Sequence, residues 1–186
     1  MKSLIIYQKI CFLVLFTGSF SCSYLPEPIT ASSDLIVTEN ADYILLTTST
    51  TDNNKAGIIF YPGGLVDPHA YIEPFKDFAL VDNRTVVILK VSSNLAILNT
   101  KKASSIIENI TNVNQWIVGG HSLGGVVACT DAFNHPNNFN GIFLLASYSI
   151  NDLSASDLPF LSITGSKDIV LDNAAFDENS INLPNS

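Results

Sequence analysis

The sequence predicts an α/β fold, a mostly parallel sheet with helices on both faces. Three observations predict it. Short apolar runs alternate with helix-like stretches from about residue 43 onward. Several runs are apolar almost without interruption, the mark of strands buried on both faces. The alternation of strand with helix persists through the chain, which suits right-handed crossovers between parallel strands. At 186 residues the chain is one domain's worth.

The elements follow in order. Tyr43 to Thr48 reads as a strand, and Asp52-Asn53-Asn54 as a polar turn. Gly57 to Tyr61 is a second strand, stopped by Pro62-Gly63-Gly64. Helical patterning runs from about Tyr71 to Leu80, followed by a strand from Thr85 to Val91. Lys101 to Ile110 is an amphipathic helix, Gln115 to Gly119 a strand and Leu123 to Asn134 a helix. Pro136 and the asparagines around it close that helix. Gly141 to Ala146 and Phe160 to Thr164 are further strands. No internal repeat is evident.

The first residues read differently. Lys2 and Lys9 precede an apolar run, Ile10 to Phe16, and then Thr17-Gly18-Ser19-Phe20-Ser21-Cys22. A charged start, an apolar centre and a small polar end predict an export signal over residues 1–21. The run is too short for a membrane-spanning helix. Ser19-Phe20-Ser21-Cys22 resembles a relaxed bacterial lipobox, which makes Cys22 the expected lipidation site. Residues 22–33 are rich in Ser and Pro and suit a tether. The folded domain is expected from residue 34 to 186, in a cell-envelope, secreted or periplasmic protein.

Charge and cysteine content exclude several functions. Loss of Lys2 and Lys9 with the signal takes the formal charge from −8 to −10. So acidic a domain repels nucleic-acid phosphates and anionic lipid headgroups. Contact with a membrane is expected only through the lipid anchor. Cys11 lies in the signal and Cys22 in the lipobox, which leaves Cys129 alone. Neither a disulfide framework nor a cysteine-based metal site is expected.

Chemistry concentrates in three motifs. Gly120-His121-Ser122-Leu123-Gly124 is a G-x-S-x-G that follows a strand and opens a helix. That context lifts a serine hydroxyl above the sheet on a strained turn, with glycines where larger side chains would clash. The plainer alternative is a glycine-rich helix cap. Tyr61-Pro62-Gly63-Gly64-Leu65 ends an earlier strand. There the amide of Gly64 or Leu65, with that of Leu123, can form an oxyanion hole; a simple β-turn is the alternative. Thr164-Gly165-Ser166-Lys167-Asp168 carries a strand into a turn that presents an acid. Asp168 stands where the order Ser…Asp…His needs it, with Asp152 after the preceding strand as its rival.

These motifs, extended to Tyr61–Tyr71, Val118–Gly125 and Leu161–Asp168, resemble the α/β-hydrolase family 5 domain, which is similar to dienelactone hydrolases and small esterases. The resemblance runs from about Asp34 to the end of the sequence. It implies an α/β-hydrolase fold, a Ser-Asp-His triad, a small-molecule ester or related acyl substrate and no cofactor. It also implies a histidine one strand beyond the acid, in an Asn-His turn. The sequence stops at Ser186 and holds no histidine after Asp168. The expected fold therefore lacks its last strand and helix.

The histidines present are His69, His121 and His135. His121 precedes the nucleophile and is expected to point away from it. His135 is expected on a surface loop at the far end of its helix. His69 lies on the loop after the oxyanion strand, on the correct side of the sheet. Without a base, a serine hydroxyl is a poor nucleophile. The expected function is thus a serine hydrolase, against two alternatives: a non-catalytic surface lipoprotein that uses the fold for binding, and an inactive truncated remnant.

Overall fold

The centre of the sheet is built from uninterrupted apolar residues. In the computed structural model, which describes residues 34–184, β3 (Gly57–Tyr61) and β4 (Val86–Leu89) are buried at every position. The other strands are β1 (Ile36–Glu39), β2 (Tyr43–Thr47), β5 (Trp116–His121), β6 (Gly141–Leu145) and β7 (Phe160–Ile163). The export signal, the tether and Cys22 lie outside the described residues.

The seven strands form one sheet in the order β1-β2-β4-β3-β5-β6-β7. β1 and β2 pair antiparallel with each other, and β2 pairs antiparallel with β4. All remaining pairs are parallel. The expected α/β-hydrolase architecture, mostly parallel with helices on both faces, is therefore present.

Alternation along β3 divides the core. Ile59 and Tyr61 face one side, where they pack with Val87, Val118 and Leu144 against Val127, Ala128 and Ala132 of helix α3 (Leu123–Asn134). Helix α2 (Lys102–Ile107) lies on the same side through Ala103. Ile58 and Phe60 face the other side, with Val86 and Ile88, against Ile72, Phe75 and Ala79 of helix α1 (Ile72–Leu80). Burial of a large apolar side chain such as Phe60 contributes roughly 1.5–3 kcal/mol.

Among the described residues the second face is incompletely covered. Beyond α1, an apolar groove of about 530 Å³ runs over Phe143, Leu145, Leu161 and Ile163. Leu161 and Ile163 on β7 are 55% and 52% exposed. β7 is also the sheet's last strand among the described residues, so one side of its backbone is unpaired.

Two elements depart from expectation. β1 was not foreseen, because all four of its residues are exposed and it has no alternating burial to betray it. Helix α4 (Asn173–Asn179) was not foreseen either; it buries none of its residues, and its start is marked only by Asp172, whose side chain accepts the Ala175 amide. Helix α2 is shorter than the predicted 101–110, since its last turns loosen at Asn109 and Ile110 into three-residue turns. β5 runs two residues past Gly119, to His121.

Candidate active site

Ser122 lies between β5 and α3 with φ 50° and ψ −124°. A non-glycine residue at positive φ is strained and persists only where its surroundings hold it. Three contacts hold this one. The Ser122 amide donates to the Leu145 carbonyl at 3.0 Å, and its carbonyl accepts the Gly125 amide at 2.9 Å. The same carbonyl accepts the Ser147 hydroxyl at 2.7 Å. Ser147 is buried at the end of β6. No sequence motif marks it, and only its place after a core strand could have suggested it.

The flanking glycines are required by close backbone approach. A Cβ on Gly120 would lie 2.3 Å from the Gly124 carbonyl. A Cβ on Gly124 would lie 2.3 Å from the carbonyl oxygens of Tyr61 and Pro62. The elbow is thus packed directly on the strand that carries the oxyanion motif. The amide ends of α3 point at the turn, where partial positive charge favours a developing anion.

The loop after β3 reaches the same place. A Cβ on Gly64 would stand 3.4 Å from Leu123 Cδ2, so the two residues are neighbours. Neither the Gly64 nor the Leu123 amide has a partner among the described residues. The Leu65 amide, the other candidate donor, gives its hydrogen to the Asn94 carbonyl at 2.7 Å. Leu65 itself takes a positive φ of 61°. Asn94 was missed by sequence reasoning because it acts through its backbone.

Asp168 lies in the turn after β7. Its Oδ1 accepts the Val170 and Leu171 amides at 2.8 and 3.0 Å. Those amides, Leu171 first, hold its carboxyl below the usual carboxylate range, and the field of His121 adds to the effect. Asp152, the rival acid, is bound in its own turn by the Ser154 hydroxyl and amide, which lower its pKa.

Each histidine has partners. His121 Nδ1 lies 2.9 Å from Tyr71 Oη. Burial pushes His121 below its ordinary pKa, and Asp168 pulls the other way. His69 stands between two carboxylates, with Nδ1 2.7 Å from Asp67 Oδ1 and Nε2 3.0 Å from Glu39 Oε2. Burial opposes its charge, but the two carboxylates prevail and raise its pKa. With both ring nitrogens engaged, His69 ties β1 to the loop after β3. His135 Nδ1 bonds Asp131 Oδ1 at 2.9 Å, at the far end of α3.

Asp131 was not singled out from the sequence. It is fully buried, and its carboxylate accepts the Tyr61 hydroxyl at 2.8 Å and the Ser104 amide and hydroxyl at 3.1 and 2.6 Å. Tyr61 in turn accepts the Ala103 amide at 2.8 Å. This network joins β3, α2 and α3. Among the described residues no group of His, Cys, Asp and Glu is arranged to hold a metal ion. No helix among them is long and apolar enough to cross a membrane.

Comparison with known proteins agrees with this fold. The model of the alpha/beta hydrolase family matches residues 57–186. No curated protein matches the sequence. Among solved structures, the chain is similar to a thermostable esterase at 16% identity and a TM-score of 0.55, covering 81% of this chain and 50% of that one. It is similar to a carboxylesterase from Mesorhizobium loti at 15% identity and a TM-score of 0.57, covering 78% and 81%. It is also similar to YahD, solved with malic acid, at 12% identity and a TM-score of 0.57, covering 80% and 84%. At such identities these likenesses show the fold. The chain spans half the length of the thermostable esterase it matches.

Proposed function

The chain belongs to the alpha/beta hydrolase family, and from that premise we propose that it is a serine hydrolase whose Ser122 attacks the carbonyl of an ester or related acyl compound. The observation that carries this reading is the conformation of Ser122. Its φ of 50° and ψ of −124° present it between β5 and α3 while Gly64 stands against Leu123. The Leu123 and Gly64 amides would hold the oxyanion. The Leu65 amide is the weaker choice because it is engaged with Asn94. Asp168, kept ionised by its own turn, would orient and stabilise a cationic base.

The base is the open part of the site. No histidine among the described residues pairs with Asp168 by a hydrogen bond, and the 186 residues hold none beyond it. Oxyanion donors and binding alone still leave about 10³–10⁴-fold catalysis over water when a triad member is missing. An added imidazole can act as the general base where a histidine would stand.

The test is hydrolysis of an activated small ester with and without imidazole. Ser122-dependent turnover that rises with imidazole, and that vanishes in Ser122→Ala, supports the proposal. Equal rates in both proteins at every imidazole concentration overturn it. Export and lipidation at Cys22 belong to the same proposal and rest on the sequence. Incorporation of an alkyne-tagged fatty acid in a bacterial host, abolished by Cys22→Ala, is the expected result.

The engagement of His69, His121 and His135 with other partners also favours a second reading, a binding protein that keeps the fold without turnover. Specific, saturable binding of acyl compounds with no Ser122-dependent hydrolysis would favour it.

A further inference from the structure

The residue before the nucleophile and the residue before the oxyanion donor are joined by a single side chain. The Gly63 amide donates to Tyr71 Oη at 2.9 Å, and Tyr71 Oη lies 2.9 Å from His121 Nδ1. We propose that Tyr71 and His121 are positioning residues that set the oxyanion loop, through the relay Gly63 N–H to Tyr71 O–H to His121 Nδ1. The inference rests on the serine-hydrolase reading of Ser122 for its catalytic meaning.

A proton inventory gives the relay its direction. A phenol carries one hydrogen and can accept others. Tyr71 already accepts the Gly63 amide, and at 8% exposure its own hydrogen needs a protein acceptor. His121 Nδ1 is the acceptor within reach, so His121 is neutral and carries its hydrogen on Nε2. Protonation would place a hydrogen on Nδ1, reverse the bond and leave the buried phenol hydrogen unpaired. Two groups face His121 electrostatically: Tyr71 from the turn before α1 and Asp168 from the turn after β7. Burial favours the neutral ring, in agreement with the relay, and Asp168 opposes it.

The packing leaves the loop little freedom to move without the relay. A Cβ on Gly63 would lie 2.6 Å from His121 Nδ1 and 3.1 Å from Tyr71 Oη. The glycine backbone is therefore pressed onto both partners. Gly63 is one residue from Gly64, and His121 is two residues from Leu123, so the relay spans both proposed oxyanion donors. Neither tyrosine nor histidine touches the reacting atoms in this account. They act through the backbone they hold.

The experiment uses the full chain and four proteins: wild type, Tyr71→Phe, His121→Leu and His121→Asn. Tyr71→Phe keeps the ring against Phe60, whose centroid is 4.8 Å away, and removes only the hydroxyl. His121→Asn offers an acceptor oxygen near the place of Nδ1 but does not titrate. Two readouts are taken: the rate of Ser122 labelling by a fluorophosphonate, and the amide ¹⁵N shifts of Gly63 and Gly64 from acid to neutral pH. A loop misplaced by a fraction of an ångström should lower labelling about tenfold or more in Tyr71→Phe and His121→Leu. His121→Asn should recover most of that loss. The Gly63 and Gly64 shifts should titrate with His121 in wild type, show a smaller step in Tyr71→Phe and lose the step in both His121 variants. Wild-type labelling in Tyr71→Phe, or glycine shifts that ignore His121 titration, would overturn the proposal. If no protein is labelled, the serine reading fails while the glycine titration still decides the relay.

Discussion

A Cβ placed on Gly124 would lie 2.3 Å from the carbonyl oxygen of Tyr61. The obstacle is backbone of a buried central strand, so it cannot swing aside as a side chain might. The helix that starts after Ser122 is thereby seated on the strand that leads into the Gly63-Gly64 loop. Gly124→Ala should lower stability by about 3 kcal/mol through overpacking, with Ser122 displaced from its strained turn. Denaturant unfolding measures the first effect. A midpoint equal to wild type would show that the elbow and β3 are not packed this closely.

The clamp of His69 with Asp67 and Glu39 predicts a pH window. Its pKa is raised in the fold, so its contribution is complete below the ordinary histidine value and is lost as pH rises through the folded one. Asp67 and Glu39 have lowered values, so their contribution fades as pH falls into the carboxylate range. The clamp should therefore be strongest at mildly acidic pH. These side chains are 36–40% exposed, so screening limits the effect to about 1 kcal/mol or less. Thermal unfolding across pH should show a loss on the alkaline side that His69→Gln flattens. His121 has the opposite sign: its lowered pKa makes stability fall as pH drops below the ordinary histidine value. An alkaline slope unchanged by His69→Gln would remove the clamp from the account.

Asp131 predicts a larger effect. Every group bonded to its carboxylate in the core is a donor: Tyr61 Oη, the Ser104 amide and hydroxyl, and His135 Nδ1. Asp131→Ala leaves several buried donors unpaired and should cost at least about 3 kcal/mol. Asp131→Asn keeps one acceptor oxygen but turns an amino group onto donors, and should cost about 1–3 kcal/mol. A neutral Asp131→Asn variant, measured by chemical unfolding, would contradict this network.

Much of this was legible in the sequence, for reasons that differ by element. β3 and β4 could be read because burial on both faces leaves nothing polar to confuse the period. The elbow could be read because Gly120 and Gly124 mark the close approach. β1 could not, since an exposed edge strand leaves no pattern. Ser147, Tyr71 and Asn94 could not either. Their roles come from contacts to backbone outside their own elements, which no local spacing encodes. The sequence also offered Gly64 and Leu65 as equal oxyanion donors, and only the bond from Leu65 to Asn94 separates them.

The apolar face beside α1, uncovered among the described residues, makes its own prediction. Leu161 and Ile163 stand more than half exposed on an edge strand, a combination that promotes association. The double variant Leu161→Lys, Ile163→Lys should stay within about 0.5 kcal/mol of wild-type stability per site. It should also show less concentration-dependent light scattering. Unchanged scattering would mean that association, if any, proceeds through another surface.

We propose Ser122, between β5 and α3, as the nucleophile. The most direct measurement is reaction of the folded chain with a fluorophosphonate, read by intact mass and peptide mapping. A single adduct on Ser122 is expected, slow in buffer, faster with added imidazole and absent from Ser122→Ala. A folded chain that gains no adduct at Ser122, with or without imidazole, would contradict it.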